Sequence, residues 1–423
     1  MKEAFLHHIW QMKCIEMKDL CTFHGNPIEI INFGKINHDA GPDFYNAEIV
    51  IGKQLWVGCV EMHINSSDWD FHHHSNDKNY QNVILHVVWN HDKEIEKLRQ
   101  SNVETLVLQD FVSKEIIYNY QQILSNQSYS IPCKGLLKKI DWNKISFWFD
   151  RLLIDRLEEK SITILNLFKQ SNNNWEEVSF KLFASNFGLR VNKETFEIWA
   201  NSFPFAVLQK NQNKPLSLEA LFFGQAGFLE DELDDYTKDL KKEYLFLQRK
   251  YDLSPLNKFI FKFSSMRPYG FPTIRLAQLS AIYTSEKSLF SKIISFTNLK
   301  EIEQFFQNFD LNSYWKSHYV FGKESKESSK KLSIDKIHNL IINTIIPLKF
   351  AYDLTIDKLD SDYFLDILND LKVENNNIID AYIASGFKIN SAKDSQSIIH
   401  LKKRYCDEKK CLNCAIGTEV LKP

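Results

Sequence analysis

Residues 38–92, HDAGPDFYNAEIVIGKQLWVGCVEMHINSSDWDFHHHSNDKNYQNVILHVVWNHD, decide the reading of the fold. Gly41-Pro42-Asp43 is a turn that delivers a carboxylate to the start of a strand. Residues 47–51 alternate with β-branched side chains, Gly52-Lys53 turns the chain, and residues 54–64 form a second strand. Glu61 and His63 sit two apart on that strand, so both point to one face, while Val60 and Met62 point into a core. Asp43, Glu61 and His63 can therefore surround one divalent cation. Two carboxylates with room for water and a phosphate suit Mg²⁺ or Mn²⁺.

Around this stretch the pattern continues in the same sense. Residues 3–20 read as an amphipathic helix with Phe5, Ile9, Met12 and Ile15 along one face. A turn at His24-Gly25-Asn26-Pro27 leads into a strand over 28–33. Ser66-Ser67-Asp68-Trp69 is a turn or helix cap, 77–81 a short helix or turn, 83–89 a buried strand containing His86, and 105–108 one more strand. Residues 114–124 look helical. Beyond Trp142 the β-branched alternation stops, and helical patterns recur near 175–187, 193–208, 216–224, 230–250, 273–285, 299–308, 333–345, 361–371 and 376–385. No repeat period holds among them, and 322–331 reads as a solvent loop.

The expected architecture is α+β: an N-terminal mixed sheet with flanking helices, then an irregular all-α domain and a Cys-rich metal-binding tail. The boundaries are 1–125 for the core, 126–141 for a linker, 142–400 for the helical domain and 401–423 for the tail. A chain of 423 residues with 44% hydrophobic and 25% charged residues is ordinary for a soluble globular protein. A formal net charge of −2 leaves no global basic footprint, so nucleic-acid binding must rest on a local patch. No apolar run reaches the roughly 18 residues of a membrane span, and the charged, histidine-bearing N-terminus does not read as a signal peptide. Seven unevenly spaced cysteines do not read as a disulfide framework. A cytoplasmic protein is expected.

Pro42-Asp43, a β-hairpin and then Glu61-x-His63 resembles the motif of the PD-(D/E)XK, or restriction-endonuclease-like, nuclease superfamily, with His63 where that superfamily has lysine. The resemblance covers about the first third of the chain and implies a restriction-endonuclease-like core and metal-dependent hydrolysis of phosphodiester bonds, in DNA first. It also implies that the opening helix can lend a carboxylate, with Glu3 and Glu16 as candidates. GPDF, WVGCVEMH, SSDW and NVILHVVW resemble, over nearly the whole chain, a family of bacterial proteins catalogued only as a domain of unknown function. His63, at an ordinary pKa of ~6.5, can act as a base or coordinate the cation. A nucleic-acid-binding or assembly protein that keeps the fold without catalysis is the alternative.

Three further constellations stand out. His72 and His74 share a face if the segment is extended, and with Asp68 or Asp77 they would make a zinc-type set and a zinc-dependent hydrolase. His86 inside its strand reads as a satisfied core histidine. Cys406, Cys411 and Cys414 give C-x4-C-x2-C, a grip for Zn²⁺ or [4Fe–4S] with Cys133 or His400 as fourth ligand. The one-plus-three arrangement is similar in kind to that of some iron–sulfur nucleases of the resembled superfamily, with different spacing. Arg267 and Arg275 frame a Pro/Gly loop with Tyr269 and Phe271 and are candidate phosphate-binding residues.

Overall fold

The computed structural model describes residues 1–37, 39–126, 129–137, 140–264 and 266–422. The chain forms two compact units. The first joins Met1–Trp148 to Asn376–Lys388 and Ile398–Pro423, and the second joins Phe149–Asn375 to Ile389–Ser397. The described residues of the expected linker, 126–141, lie in the first unit. The remaining four, Gln127, Ser128, Lys138 and Lys139, fall outside the described residues. The segments Asn376–Lys388 and Ile398–Pro423 belong to the first unit as well. Local periodicity marks a helix but not the core it joins.

The first unit opens with helix α1 (Glu3–Gln11), followed by strands β1 (Ile28–Asn32), β2 (Lys35–Ile36), β3 (Phe44–Ile51) and β4 (Gln54–Asn65). A one-turn helix α2 (Asp68–Phe71) leads to β5 (Val83–Asn90), α3 (Glu96–Gln100), β6 (Glu104–Val107) and α4 (Lys114–Ser125). The sheet runs β1-β3-β4-β5-β6 with β2 pairing β3. β1, β3 and β4 are antiparallel, whereas β4, β5 and β6 are parallel. β5 is the run ValIleLeuHisValValTrp, buried from Val83 to Trp89, as a parallel strand between two neighbours demands. α1 packs on β4; Phe5 stacks on Tyr120 of α4 with centroids 3.7 Å apart, and the Trp10 indole donates to the Phe33 carbonyl at 2.8 Å. The helix stops at Gln11 instead of running to 20, because Lys13 takes a left-handed conformation (φ 55°).

The second unit is helical around a Phe-rich core in which Phe180, Phe183, Phe187, Phe196, Trp199 and Phe222 are fully buried. Trp175–Phe187 has the expected bounds. The pattern over 193–208 divides into Leu189–Asn201 and Phe205–Asn211 around Pro204, which has no N–H to continue a ladder. Among the described residues the only strands beyond the first third are His318–Val320 and Lys323–Glu324. They pair across Phe321-Gly322, the second of them within the stretch 322–331 expected to be loop, with Gly322 at φ 66° supplying the turn. No helix among the described residues is long and apolar enough to cross a membrane.

Candidate functional site

Two register shifts build the site. Ala47 pairs with Gly58 but Phe44 pairs with Val60, so β3 carries one residue more than β4 over that span. Asn46, at φ 59°, absorbs the surplus, a conformation that Asn tolerates better than branched residues. A one-residue shift exchanges faces, and here it sets Asp43 beside Glu61. The Asp43 N–H donates to Glu61 Oε2 at 3.1 Å, and the Met62 N–H donates to Asp43 Oδ2 at 2.9 Å. On the other side of β4, Cys59 pairs with Val83 but Val60 with Leu85, which brings Glu61 level with His86. Gly58 permits this close passage, since a Cβ there would sit 2.6 Å from the Asn82 carbonyl oxygen and 2.5 Å from Ile84.

The loop after β4 folds back over the same face. Asp92 accepts from the Ser67 N–H (2.9 Å) and from the hydroxyls of Ser66 (2.9 Å) and Ser67 (2.7 Å), pinning the Ser66-Ser67-Asp68-Trp69 turn to the end of β5. The segment is not extended. His72 ends α2, His73 is left-handed at φ 61°, and His74 begins a 3-10 turn, so the reversal at His73 points its two neighbours toward one place. His63 Nε2 lies 3.1 Å from His72 Nδ1 and 3.5 Å from Glu61 Oε1, and His74 Nε2 lies 3.3 Å from Glu61 Oε1. One nitrogen from each of His63, His72 and His74 falls within 4.8 Å of the others, the only such trio of ligand atoms among the described residues. Trp69 is the apolar floor, edge-on to His63, His74 and His86, and Tyr80 stacks on His74. His72 is exposed and opens the site to solvent.

Burial and like charge govern the electrostatics. Glu61 is 5% exposed, and its carboxyl is pushed up to about 9, first by burial and then by Asp43. Two carboxylates placed so close call for a cation between them or a proton on one. His63 is fully buried and pushed down to about 3 by desolvation, then by His74, His72 and His7, so it is neutral. A nitrogen so weakly basic is a poor general base and a good neutral ligand. Its Nδ1 lies 2.9 Å from His86 Nε2, which can orient the ring and leave Nε2 facing His72 and Glu61. Burial also holds His86 well below its ordinary value. From α1, His7 Nε2 approaches Asp43 Oδ2 at 3.2 Å; burial lowers its pKa, but Asp43 outweighs that and the net shift is upward. Glu3, one helical turn earlier, is raised by burial and then by Asp43.

The structure thus brings Asp43, Glu61 and His63 together and adds His7, His72, His74 and His86. Asp68 and Asp77 turn to backbone amides instead, accepting from the N–H groups of Asn65 (2.9 Å) and Asn79 (2.9 Å). Glu16 is exposed outside α1, and its N–H bonds the Phe111 carbonyl. In the second unit, Arg275 is 8% exposed and donates to Gln278 Oε1 at 2.7 Å. Its side chain packs inside that unit. Arg267 is exposed at the start of the Pro268–Gly270 turn. The four cysteines 133, 406, 411 and 414 all lie in the first unit as free thiols. Burial raises the Cys133 thiol well above its ordinary value, and the other three add to that electrostatically.

No curated protein and no solved structure matches the chain. Residues 3–377, which hold the whole sheet and the histidine loop but not the three tail cysteines, match the family described as "Protein of unknown function (DUF2851)", and the chain belongs to that family.

Proposed function

We propose that the protein is a metal-dependent nuclease that hydrolyses phosphodiester bonds, DNA being the first substrate to test. The observation that carries this reading is the convergence of Asp43 and Glu61 with His63, His72 and His74 on one face of the sheet. The order helix, antiparallel strands, short helix, parallel strand supports the restriction-endonuclease-like relationship. When bound, a divalent cation would polarise a phosphoryl oxygen and make water a better nucleophile. Asp43 and Glu61 would hold it through oxygen. His63, buried and neutral, would offer Nε2 and keep its ring fixed through His86. His72 and His74 would close the mouth of the site. His7, paired with Asp43, would fix that carboxylate's direction.

Three imidazoles beside the carboxylates favour Mn²⁺ or a later first-row ion over Mg²⁺. They also support a second reading, zinc-dependent hydrolysis at the His63–His72–His74 set with Glu61. A screen on single- and double-stranded DNA and RNA with Mg²⁺, Mn²⁺, Zn²⁺ or EDTA tests both. Cleavage that appears with Mn²⁺ or Mg²⁺ and vanishes in EDTA supports the nuclease; cleavage confined to Zn²⁺ selects the second reading. No cleavage under any condition leaves the binding protein.

A further inference from the structure

Apart from the proposed catalytic face, the first unit contains a second constellation of metal-ligating side chains at the opposite end of the sequence. Cys133 lies in the turn after Ile131-Pro132, Cys406 ends a π-turn (Lys402–Cys406), and Cys411 and Cys414 bracket a 3-10 turn. Cys133, Cys406 and Cys414 are 8%, 7% and 7% exposed, so the thiols face inward rather than hanging on a frayed end. The tail is bound in place by other contacts. The Asn119 side chain of α4 donates to the Val420 carbonyl at 2.9 Å, Lys409 Nζ donates to the Tyr129 carbonyl at 3.2 Å, and Tyr405 meets Trp148 edge-on. Gly417 lies so close to Cys411 that a Cβ would come within 1.9 Å of its carbonyl oxygen. That approach holds the helix after Cys414 against the turn that carries Cys411.

We infer that Cys133, Cys406, Cys411 and Cys414 are the four ligands of one [4Fe–4S] cluster that fastens the C-terminal segment to the first unit. Each of the four thiols is free and none is in a disulfide. Burial raises Cys133 and Cys414 first, and the sulfurs add to it by acting on one another: Cys406, Cys414 and Cys411 on Cys133, and Cys406 and Cys411 on Cys414. Their spacing selects the occupant. Four thiolates on one zinc ion at ~2.3 Å would bring every sulfur within roughly 4 Å of the others. No three of them fall within 4.8 Å of one another, since the histidine trio alone does so among the described residues. A polynuclear centre, which offers a separate iron to each thiolate, fits the wider set. Four thiolates around a cubane carry net negative charge, and Lys402 and Lys409 act on the Cys406 sulfur in the favourable sense against Asp407.

The test is metal and sulfide analysis of the full chain purified without oxygen. The inference expects about four iron and about four acid-labile sulfide per chain, with broad visible absorption that bleaches on reduction. Alkylation read by mass spectrometry assigns the ligands in the wild type itself. Cys133, Cys406, Cys411 and Cys414 should resist iodoacetamide in the loaded protein and react once oxidation has stripped the iron, whereas Cys21 and Cys59 should react equally in both states. Cys411→Ser should lose the absorption and lower the melting temperature, and Cys59→Ser should keep both. One zinc per chain without iron overturns the cluster, absence of any metal overturns the site, and unchanged alkylation on stripping overturns the ligand set.

Discussion

Replacing Glu61 with glutamine should stabilise the metal-free protein while weakening its hold on a divalent cation. Glu61 is buried against Asp43, and its carboxyl is pushed up from 4.5 to about 9. The folded state therefore keeps a proton that the unfolded state has released. Stability is highest below the unfolded value and falls as the pH rises toward the folded one. At ~1.36 kcal/mol per pH unit, the loss by about pH 8 has an upper bound of ~5 kcal/mol. Relaxation and water entry lower such penalties, which makes about 2–4 kcal/mol the expected gain for Glu61→Gln. The amide keeps an oxygen to accept the Asp43 N–H, so no backbone group is stranded. Urea denaturation in EDTA, at about pH 5 and about pH 8, should show the variant gaining stability only at the higher pH. Cation at ~100 times its Kd should then raise the wild type by about 2.7 kcal/mol and the variant by much less. A variant less stable than wild type in EDTA at the higher pH, or one that gains as much from the cation, would refute the reasoning.

Other substitutions probe the elements that place these groups. Asn46→Val puts a β-branched residue at φ 59° and should cost about 1–3 kcal/mol and weaken cation binding as Asp43 turns away, whereas Asn46→Gly should leave both nearly unchanged; equal losses in the two variants would remove the bulge from the account. In the second unit, Glu219 is 6% exposed, accepts from Tyr236 (2.9 Å) and Asn312 (3.2 Å), and is raised by burial to about 7. A raised carboxyl again means stability lost between 4.5 and about 7, so Glu219→Gln should gain about 2–3 kcal/mol above neutrality and nothing near pH 4; a pH-independent effect in chemical denaturation would contradict it. His63→Ala should cost ~10–100-fold in affinity for Mn²⁺ or Zn²⁺ by calorimetry; unchanged affinity would take His63 out of the ligand set.

The sheet was legible because strands announce themselves with a period of two, and β3, β4 and β5 carry β-branched residues with few interruptions. The same period put Glu61 and His63 on one face. What it could not show were the two irregularities that complete the site. A left-handed residue in mid-strand (Asn46) and another between two short helices (His73) leave only a weak composition signal, yet they decide which carboxylate meets Glu61 and where His72 and His74 point. His7 was overlooked although Glu3 and His7, four apart, share a face of α1; an acidic–basic pair at that spacing reads equally well as a solvated surface. His86 was read as a core histidine, which its burial supports, but its place beside His63 depends on the shift at Cys59. Cysteine spacing marked the tail group, since few residues substitute for thiolates. Arg275 shows the reverse: an arginine near a loop says nothing of whether its helix face is buried.

The most direct measurement is the rate of DNA cleavage by wild type and by Asp43→Ala in Mn²⁺, each with an EDTA control. Asp43 is partly exposed, and among the described residues its side chain accepts from the Met62 N–H and pairs with His7, so alanine there should leave the sheet intact by circular dichroism. The account predicts cleavage by the wild type that EDTA abolishes, and a loss of ~10²-fold or more in the variant. A wild type inert on single- and double-stranded DNA, or an Asp43→Ala protein that cleaves as fast as the wild type, would contradict it.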